Sequence, residues 1–484
     1  MAESAVHSLP DDRISRLPKA MALLLPVFIF SAFLTQVKFI PGVRNNIGPF
    51  EILGGLIIVS FLAVYRRPEI PLRLHTITKI VAALVLLAAV SQTWLPPSHA
   101  RMGLVQTGIL VFLLLFLVAV YNLILQYQVH PAYVLRLIAL SLLIVGPWVI
   151  WSGVQAGGDF QAAGPFRNRA HMGSYMLSGF WLVLLYTIQP NIGKLNRLLS
   201  NGALCLALYG VAVSGRRSVY LSLIVGLFGL AVGFLLTHRG KRLTLIRSGA
   251  VALGFLAAFY TVGAIYVPQA AFFQERVGMI GQRLEQAFAK EEQLAEDDSF
   301  FVLQRQGVMM AYRERPVFGI GWGGFAKSRY SPTGHEVHST PLRFLAEMGL
   351  VGLSLYIALM AYLLIHSLKL FFQMRRTAYG GVYLVLMMGL WSLSISYIYN
   401  RHVTERTFWL LLLIFLVFET FARSHLRDLA RQRTAERPSR RSSAAAAAAA
   451  PARPSWSPGR PGWSQPAMRQ TLPRSRYRPP DGHL

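Results

Sequence analysis

The chain has 484 residues, of which 54% are hydrophobic and only 14% are charged. This balance excludes an ordinary water-soluble globular domain and indicates a protein whose solvent is lipid. The formal net charge of +27 is a feature of nucleic-acid-binding proteins, but much of the excess lies in the arginines after residue 422. We therefore expect attraction to anionic lipid headgroups and no nucleic-acid partner.

Twelve apolar runs have close to the length, about 20 residues, that a helix needs to cross a bilayer. The runs are continuous rather than alternating, which favours helices over a transmembrane β-barrel. The sequence thus predicts an all-α polytopic membrane protein. The runs lie near 21–37, 49–65, 77–95, 103–125, 133–154, 172–188, 199–214, 218–236, 246–266, 345–366, 379–398 and 407–423.

Lysine and arginine in the short connections predict the orientation, because cytoplasmic loops hold the excess of positive charge. Basic residues follow the second, sixth, eighth and tenth runs, so both termini are expected in the cytoplasm and the first run is a signal anchor. Four regions follow: 1–266 with helices 1–9, a helical loop 267–344 outside the cytoplasm, 345–423 with helices 10–12, and a disordered basic tail 424–484.

The long loop is the one extramembrane segment with enough residues to fold, so we expect the chemistry there. A helix is predicted from Phe300 to about Arg313, capped by Ser299 or Asp298 and ended by a following proline. Arg305 lies within this helix, and such a charge on an apolar stripe calls for an anionic partner. Its neighbours at helical spacing are Phe301, Val302, Val308 and Met309.

The segment Gly319–Gly324 contains a literal GxGxxG string. No predicted strand precedes it and no helix is signalled directly after it, which argues against a dinucleotide site. We interpret the string as a glycine-rich turn that lets the backbone approach another segment or a substrate.

His338 precedes a Ser-Thr-Pro sequence that is typical of a helix start, so it is predicted at a helix N-terminus. The positive end of the helix dipole disfavours the imidazolium, and a neutral, proton-accepting ring is expected. From position alone, a role in capping the helix or in packing at the level of the lipid headgroups is favoured over a role in catalysis.

Two further arginine sites lie on the side opposite the cytoplasm, against the usual charge bias. Arg216 and Arg217 occupy the turn between the seventh and eighth runs, and Arg167 and Arg169 lie at the entry to the sixth. Each could extend towards lipid phosphates. Together with the arginine of the loop they favour a shared anion, because guanidinium groups bind phosphate oxygens in bidentate fashion.

Carboxylates cluster in one stretch of the loop, without the spacing of a good cation cage. A solvated helix face explains them more simply, so no metal and no cofactor are predicted. The residues are Glu285, Glu291, Glu292, Glu296, Asp297 and Asp298.

Three patterns in this order resemble the O-antigen ligase and polymerase superfamily, and the likeness covers residues from about 20 to 423. They are Ser214–Ser218 before an apolar span, Arg305 followed by Arg315–Gly323, and His338-Ser339 leading to Glu347–Gly352. The resemblance implies a metal-independent glycosyltransferase of the GT-C type in the bacterial inner membrane, with its active site facing the periplasm. The donor would be O-antigen on undecaprenyl diphosphate, and the acceptor lipid A–core.

The family's turn arginine falls on Arg217, its loop arginine on Arg305 and its histidine on His338. Arg216 stands where the family more often has a small or hydroxylated residue. In such chemistry Arg217, Arg305 and one of Arg167 or Arg169 would stabilise the departing diphosphate. His338 would take the proton from the acceptor hydroxyl, and in-line attack would invert the anomeric carbon.

Three alternatives to a ligase stay open. A polymerase would use the same donor, but polymerases tend to carry two sizeable outer loops and this chain has one. A protein O-glycosyltransferase, the second alternative, belongs to the same class of enzyme. A lipid-glycan transporter usually places its ionisable residues near the midplane of the membrane, whereas the unusual charges here collect at one surface.

Overall fold

The computed structural model describes residues 49–65, 74–127, 130–155, 166, 169–189, 192–214, 216–237, 299–332, 334–399 and 406–448. Within these ranges the chain forms eleven α-helices, two short 3₁₀ turns and no β-strand. The predicted all-α fold is therefore confirmed for this part of the chain. The predicted runs 21–37 and 246–266 lie outside the described residues, as does the whole of the loop before Ser299.

The helices, in chain order, are α1 (Pro49–Tyr65), α2 (Thr76–Val90), α3 (Pro97–Tyr127), α4 (Pro131–Gln155), α5 (Arg169–Thr187), α6 (Lys194–Ser214), α7 (Arg217–Thr237), α8 (Ser299–Glu314), α9 (Thr340–Met374), α10 (Gly380–Tyr399) and α11 (Arg406–Ala448). The 3₁₀ turns are Ser91–Trp94 and Phe325–Lys327.

Eight helices among the described residues are long and apolar enough to cross a membrane: α2 with the turn that follows it, α3, α4, α6, α7, α9, α10 and α11. Helix α1 is apolar but shorter, and α5 coincides with the predicted run 172–188 but is not among these eight. The chain is thus a multi-pass helical membrane protein.

Helices α7 and α10 pack closely through three glycines of α7. A Cβ atom on Gly226 would lie 2.6 Å from Ser392, one on Gly229 2.7 Å from Met388, and one on Gly233 2.7 Å from Leu384. Glycine permits this approach, which van der Waals packing between membrane helices requires. Since the numbers rise on α7 as they fall on α10, the two helices are antiparallel. The start of α7 therefore lies level with the end of α10.

Helix α9 is broken at Gly349, whose backbone has φ 64° and ψ −159°. This conformation is accessible to glycine and strained for other residues. The break leaves backbone N–H groups without their acceptors within the helix, and carbonyls of the loop accept from them instead. Leu350 donates to the carbonyl of Pro316 at 2.8 Å and Val351 to that of Val317 at 3.2 Å. The loop after α8 is thus bonded into the backbone of α9.

The chain divides into two compact units, Met1–His425 and Leu426–Leu484. In the second unit the described residues continue α11 to Ala448, whereas the sequence predicted a disordered tail from residue 424. Alanine and arginine favour helix, and extending an existing helix needs no new nucleus. Residues 449–484 lie outside the described part.

Candidate functional site

The described part of the loop packs as a compact layer against the first turns of α9. Val308 and Ala311 of α8 are buried in a hydrophobic cluster that includes residues of the loop and of α9. The other members are Ile320, Phe325, Tyr330, Val337 and Ala346, with Leu342 and Leu345 packed against them. The helix predicted from Phe300 to about Arg313 is confirmed, since α8 spans Ser299–Glu314.

The glycine-rich turn approaches the broken region of α9. Gly319, Gly321 and Gly323 have φ of 67°, 106° and 79°, so each adopts a conformation that favours glycine. The N–H groups of Ile320 and Gly321 donate to carbonyls of α9 at 3.0 and 2.9 Å. The interpretation of this string as a turn that approaches another segment is confirmed.

A buried carboxylate anchors the turn from the side of α9. Glu347 is fully buried, and its Oε2 accepts hydrogen bonds from the N–H of Gly323 and from Nε of Arg343, both at 3.0 Å. Arg343 is 2% exposed and lies over the ring of Trp322, 4.3 Å from its centroid. Burying charge is costly unless it is paired and hydrogen-bonded. Arg343 and Glu347 are paired and share a hydrogen bond, while Nη2 of Arg343 has no hydrogen-bond partner among the described residues.

A second carboxylate connects this pair to the helix bundle. Oε2 of Glu336 lies 3.4 Å from Nη1 of Arg343. Its other oxygen, Oε1, accepts a hydrogen bond from Nε2 of Gln106 on α3 at 3.3 Å. Trp322 adds a contact to the turn after α2, because its N–H donates to Oγ of Ser91 at 2.9 Å. The loop is therefore fixed between α9 and the ends of α2 and α3.

His338 is oriented by the same segment. Its Nδ1 lies 3.0 Å from the backbone carbonyl of Glu336. A carbonyl oxygen only accepts, so this contact favours the tautomer with its proton on Nδ1, which leaves Nε2 as the proton-accepting nitrogen of a neutral ring. Nε2 of Gln304 lies farther from Nδ1, at 3.5 Å. Gln304 of α8 braces the arrangement: its Oε1 accepts from the N–H of His338 at 3.2 Å and its Nε2 donates to the same Glu336 carbonyl at 2.9 Å.

Two observations bear on the alternative that His338 caps a helix. The N-cap of α9 is Ser339, not His338. The Ser339 hydroxyl does not cap either, and instead donates to the carbonyl of Ile398 at 2.7 Å near the end of α10. His338 thus precedes the helix, with the ring of Phe301 against it at a centroid distance of 6.1 Å.

Arg305 follows Gln304 on α8 and is exposed. Phe301, Val302 and Met309, at helical spacing from it, are 44%, 41% and 38% exposed. The prediction that Arg305 emerges from an apolar stripe is confirmed for these three positions. Val308 is the exception, because it faces the core.

The Arg216–Arg217 turn lies at the same end of the bundle as Ser339. Arg217 is the first residue of α7, which starts level with the end of α10. Arg216 is half-buried, its N–H lies 3.4 Å from Oγ of Ser214, and its carbonyl accepts from Val219 at 3.1 Å.

Arg169 is the first residue of α5, and the helix starts beside this turn. A Cβ atom on Gly173, one turn later, would lie 3.0 Å from Ser214 and 3.2 Å from Val219. Arg167 and the acidic stretch from Glu285 to Asp298 lie outside the described residues. The backbones of Arg169, Arg216 and Arg217 therefore converge at one corner of the bundle.

Two residues of the loop bond to a carboxylate at the end of α8. Tyr330 and Arg329 both hydrogen-bond to the carboxylate of Glu314, and these bonds lower the pKa of Glu314. The carboxylate therefore stays ionised at neutral pH, and the ion pair keeps the loop against α8.

Sequence reasoning missed five residues of the site. They are Gln106, Gln304, Glu336, Arg343 and Glu347. One signal was present: Arg343 and Glu347 are opposite charges four residues apart at the entry to an apolar run, where a charge is costly unless it is paired. Nothing in the sequence pointed to the two glutamines, whose partners are distant along the chain.

No group of three or more metal-binding side chains occurs among the residues that the structure describes. No model of a protein family matches the chain, and no curated protein matches it.

Proposed function

We propose that the chain is an O-antigen ligase, a GT-C-type glycosyltransferase of the bacterial inner membrane. In this proposal the chain crosses the membrane twelve times, both termini are cytoplasmic, and the end that carries His338 faces the periplasm. The observation that carries the proposal is the orientation of His338: its Nδ1 faces the Glu336 carbonyl at 3.0 Å, so that Nε2 can accept a proton.

The acceptor is a hydroxyl of lipid A–core, and its proton passes to Nε2 of His338 as the oxygen attacks the anomeric carbon of the O-antigen. The bond from that carbon to the diphosphate oxygen breaks on the opposite face, so the configuration inverts. Undecaprenyl diphosphate leaves with the electron pair. The reaction draws its free energy from the sugar–diphosphate bond and needs no nucleotide, metal or cofactor.

The departing diphosphate gains negative charge, which a preorganised group of arginines stabilises. Arg217 and Arg305 have this role, with Arg216, Arg167 and Arg169 as further diphosphate-binding residues. The convergence of the Arg216–Arg217 turn, the start of α5 and the end of α10 supports this assignment.

The Glu336 carbonyl also explains how His338 can hold the proton that it takes. A positive imidazolium donates more strongly from Nδ1 than a neutral ring does, so this hydrogen bond strengthens as the base becomes charged. The buried Arg343, which pairs with both Glu336 and Glu347, keeps the Glu336 carbonyl in place. Such support from surrounding residues is what a precise site requires.

The test is a reconstitution of the purified full-length protein in proteoliposomes with O-antigen on undecaprenyl diphosphate and lipid A–core. His338→Ala should lower the transfer rate by roughly 10²–10⁴-fold, as removal of a general base does, while donor binding persists. His335→Ala is the matched control, because His335 is an exposed histidine of the same loop.

Each product identifies one of the alternative functions. Transfer to the core supports the ligase, lengthening of the glycan indicates a polymerase, and translocation with no consumption of donor indicates a transporter. A fully active His338→Asn enzyme would exclude His338 as the base. Turnover is expected to persist in EDTA.

A further inference from the structure

Helix α8 carries an apolar surface on the side away from the protein core. One face, which includes Gln304 and Val308, is buried against the loop and α9. The opposite face would be polar on a helix surrounded by water. It instead carries five exposed apolar residues: Phe301 is 44% exposed, Val302 41%, Leu303 40%, Met309 38% and Met310 54%. The exposed polar residues of the helix are Arg305, Gln306, Arg313 and Glu314.

The first turn of α8 lies at the level where a membrane span ends. Phe301 contacts the His338 ring, and the next residue, Ser339, bonds to the carbonyl of Ile398. Ile398 lies in the last turn of α10, which has 20 residues. A helix of that length measures about 30 Å, the thickness of the hydrocarbon layer. The end of α10, and with it the start of α8, therefore lies at the membrane surface.

The other end of α8 is joined to α9 at its break, and from Leu350 to Met374 α9 has about the length that crosses the hydrocarbon layer. The backbone bonds from Leu350 and Val351 to Pro316 and Val317 follow directly after α8. Leu350 starts the part of α9 beyond the break, whose exposed residues Leu350, Ile357 and Ile365 are 44%, 55% and 63% accessible. These apolar residues recur at helical spacing, as on a face that contacts lipid.

A helix of 16 residues with both ends at one membrane surface must run along that surface. Helix α8 is not among the helices long and apolar enough to span. Its exposed side also carries Arg305 and Arg313, and Arg315 follows it. Apolar residues combined with basic ones are typical of helices that lie in the interface between acyl chains and headgroups.

We propose that α8 lies in the membrane interface on the side that carries His338, with its exposed apolar face against phospholipid acyl chains. The occupant of this face is membrane phospholipid. Arg305 and Arg313 then extend to the level of the phosphates, while the methylene groups of their side chains cover the apolar surface. This proposal concerns the position of the helix and does not depend on the transferase chemistry.

The test uses spin labels on the full-length protein in vesicles of phosphatidylethanolamine and phosphatidylglycerol. Cys205 is the single cysteine of the chain, so Cys205→Ala gives a background for Val302→Cys, Met309→Cys and Met310→Cys, each labelled with a nitroxide. Collision rates with oxygen, which partitions into lipid, are compared with those of a water-soluble nickel chelate. Lys327→Cys is the matched control, since Lys327 is an exposed residue of the same loop.

The oxygen-to-nickel ratio should be several-fold higher at positions 302, 309 and 310 than at 327. Labelling three positions separately keeps the test valid if one variant misfolds. Ratios at all three positions equal to the ratio at 327 would place the face in water and reject the proposal. Since no transfer is measured, an inactive protein leaves the result unaffected, and a failed ligase assay leaves this proposal standing.

Discussion

Arg343 and Glu347, one turn apart on α9, form an ion pair with 3.0 Å between Nε and Oε2, and their side chains are only 3% and 0% exposed. The Glu347 carboxylate also receives the N–H of Gly323 and that of Phe325. One buried carboxylate therefore holds both the arginine of α9 and the glycine-rich turn.

Glu347→Ala should destabilise the protein by about 3–5 kcal/mol, because it leaves the buried Arg343 guanidinium without this partner. Thermal unfolding of the protein in detergent would show a lower midpoint. Glu314→Ala is the control: Glu314 bonds to Tyr330 and to the exposed Arg329, and because this pair is exposed its loss should lower the midpoint much less. Equal midpoints for the two variants would contradict the role of Glu347.

Gly319→Ala and Gly349→Ala should each prevent the loop from docking on α9. A Cβ atom on Gly319 would lie 2.5 Å from the carbonyl carbon of Glu347, and one on Gly349 2.3 Å from the carbonyl oxygen of Val317. Gly334→Ala separates steric contact from strain, because Gly334 has φ of 67° but nothing within 4 Å of an added Cβ. This control should lose only the roughly 1–3 kcal/mol of backbone strain. Limited proteolysis of the loop measures the difference.

Arg305→Ala and Arg217→Ala should each lower transfer strongly in protein that still inserts, because diphosphate charge is left uncompensated. The lysine variants should recover part of the rate, since an ammonium keeps the charge but loses the two-pronged geometry. Arg313→Ala, on the exposed side of the same helix as Arg305, is the control and should keep most activity. Wild-type rates in both lysine variants would indicate general electrostatic attraction instead of a shaped site.

Truncation after Arg437 should leave transfer unchanged, because the removed residues lack the apolar periodicity of a packed core. Transfer rates of the shortened and complete proteins, normalised to inserted protein, test this. Normal insertion with no transfer would make the tail part of the catalytic machinery.

Much of the fold could be predicted because its signals are local. The length of the apolar runs predicted the eight long apolar helices found among the described residues, and the Ser-Thr-Pro sequence after His338 predicted the start of α9 at Thr340. The prediction for α8 rested on a capping serine and a proline stop, and its bounds were correct to about one residue.

The break in α9 could not be predicted, because a helix is interrupted at Gly349 only when another segment supplies its hydrogen bonds. Here that segment is Pro316–Val317, more than 30 residues earlier. The contacts of Gln106 with Glu336, and of Gln304 with His338, likewise depend on tertiary pairing. The same holds for the buried Glu419, whose carboxylate lies 3.0 Å from Nε2 of His75.

The break also separates two helical registers. In a continuous helix, one inserted residue rotates everything beyond it by about 100°, so a span could not change in length without turning the side chains at its end. In α9 the bonds of Leu350 and Val351 to the loop fix the helical register at the start of the segment beyond the break. An insertion between Tyr356 and Lys369 would turn the far end of the helix and leave His338 where it is. The span can therefore be adapted to bilayers of different thickness independently of the site.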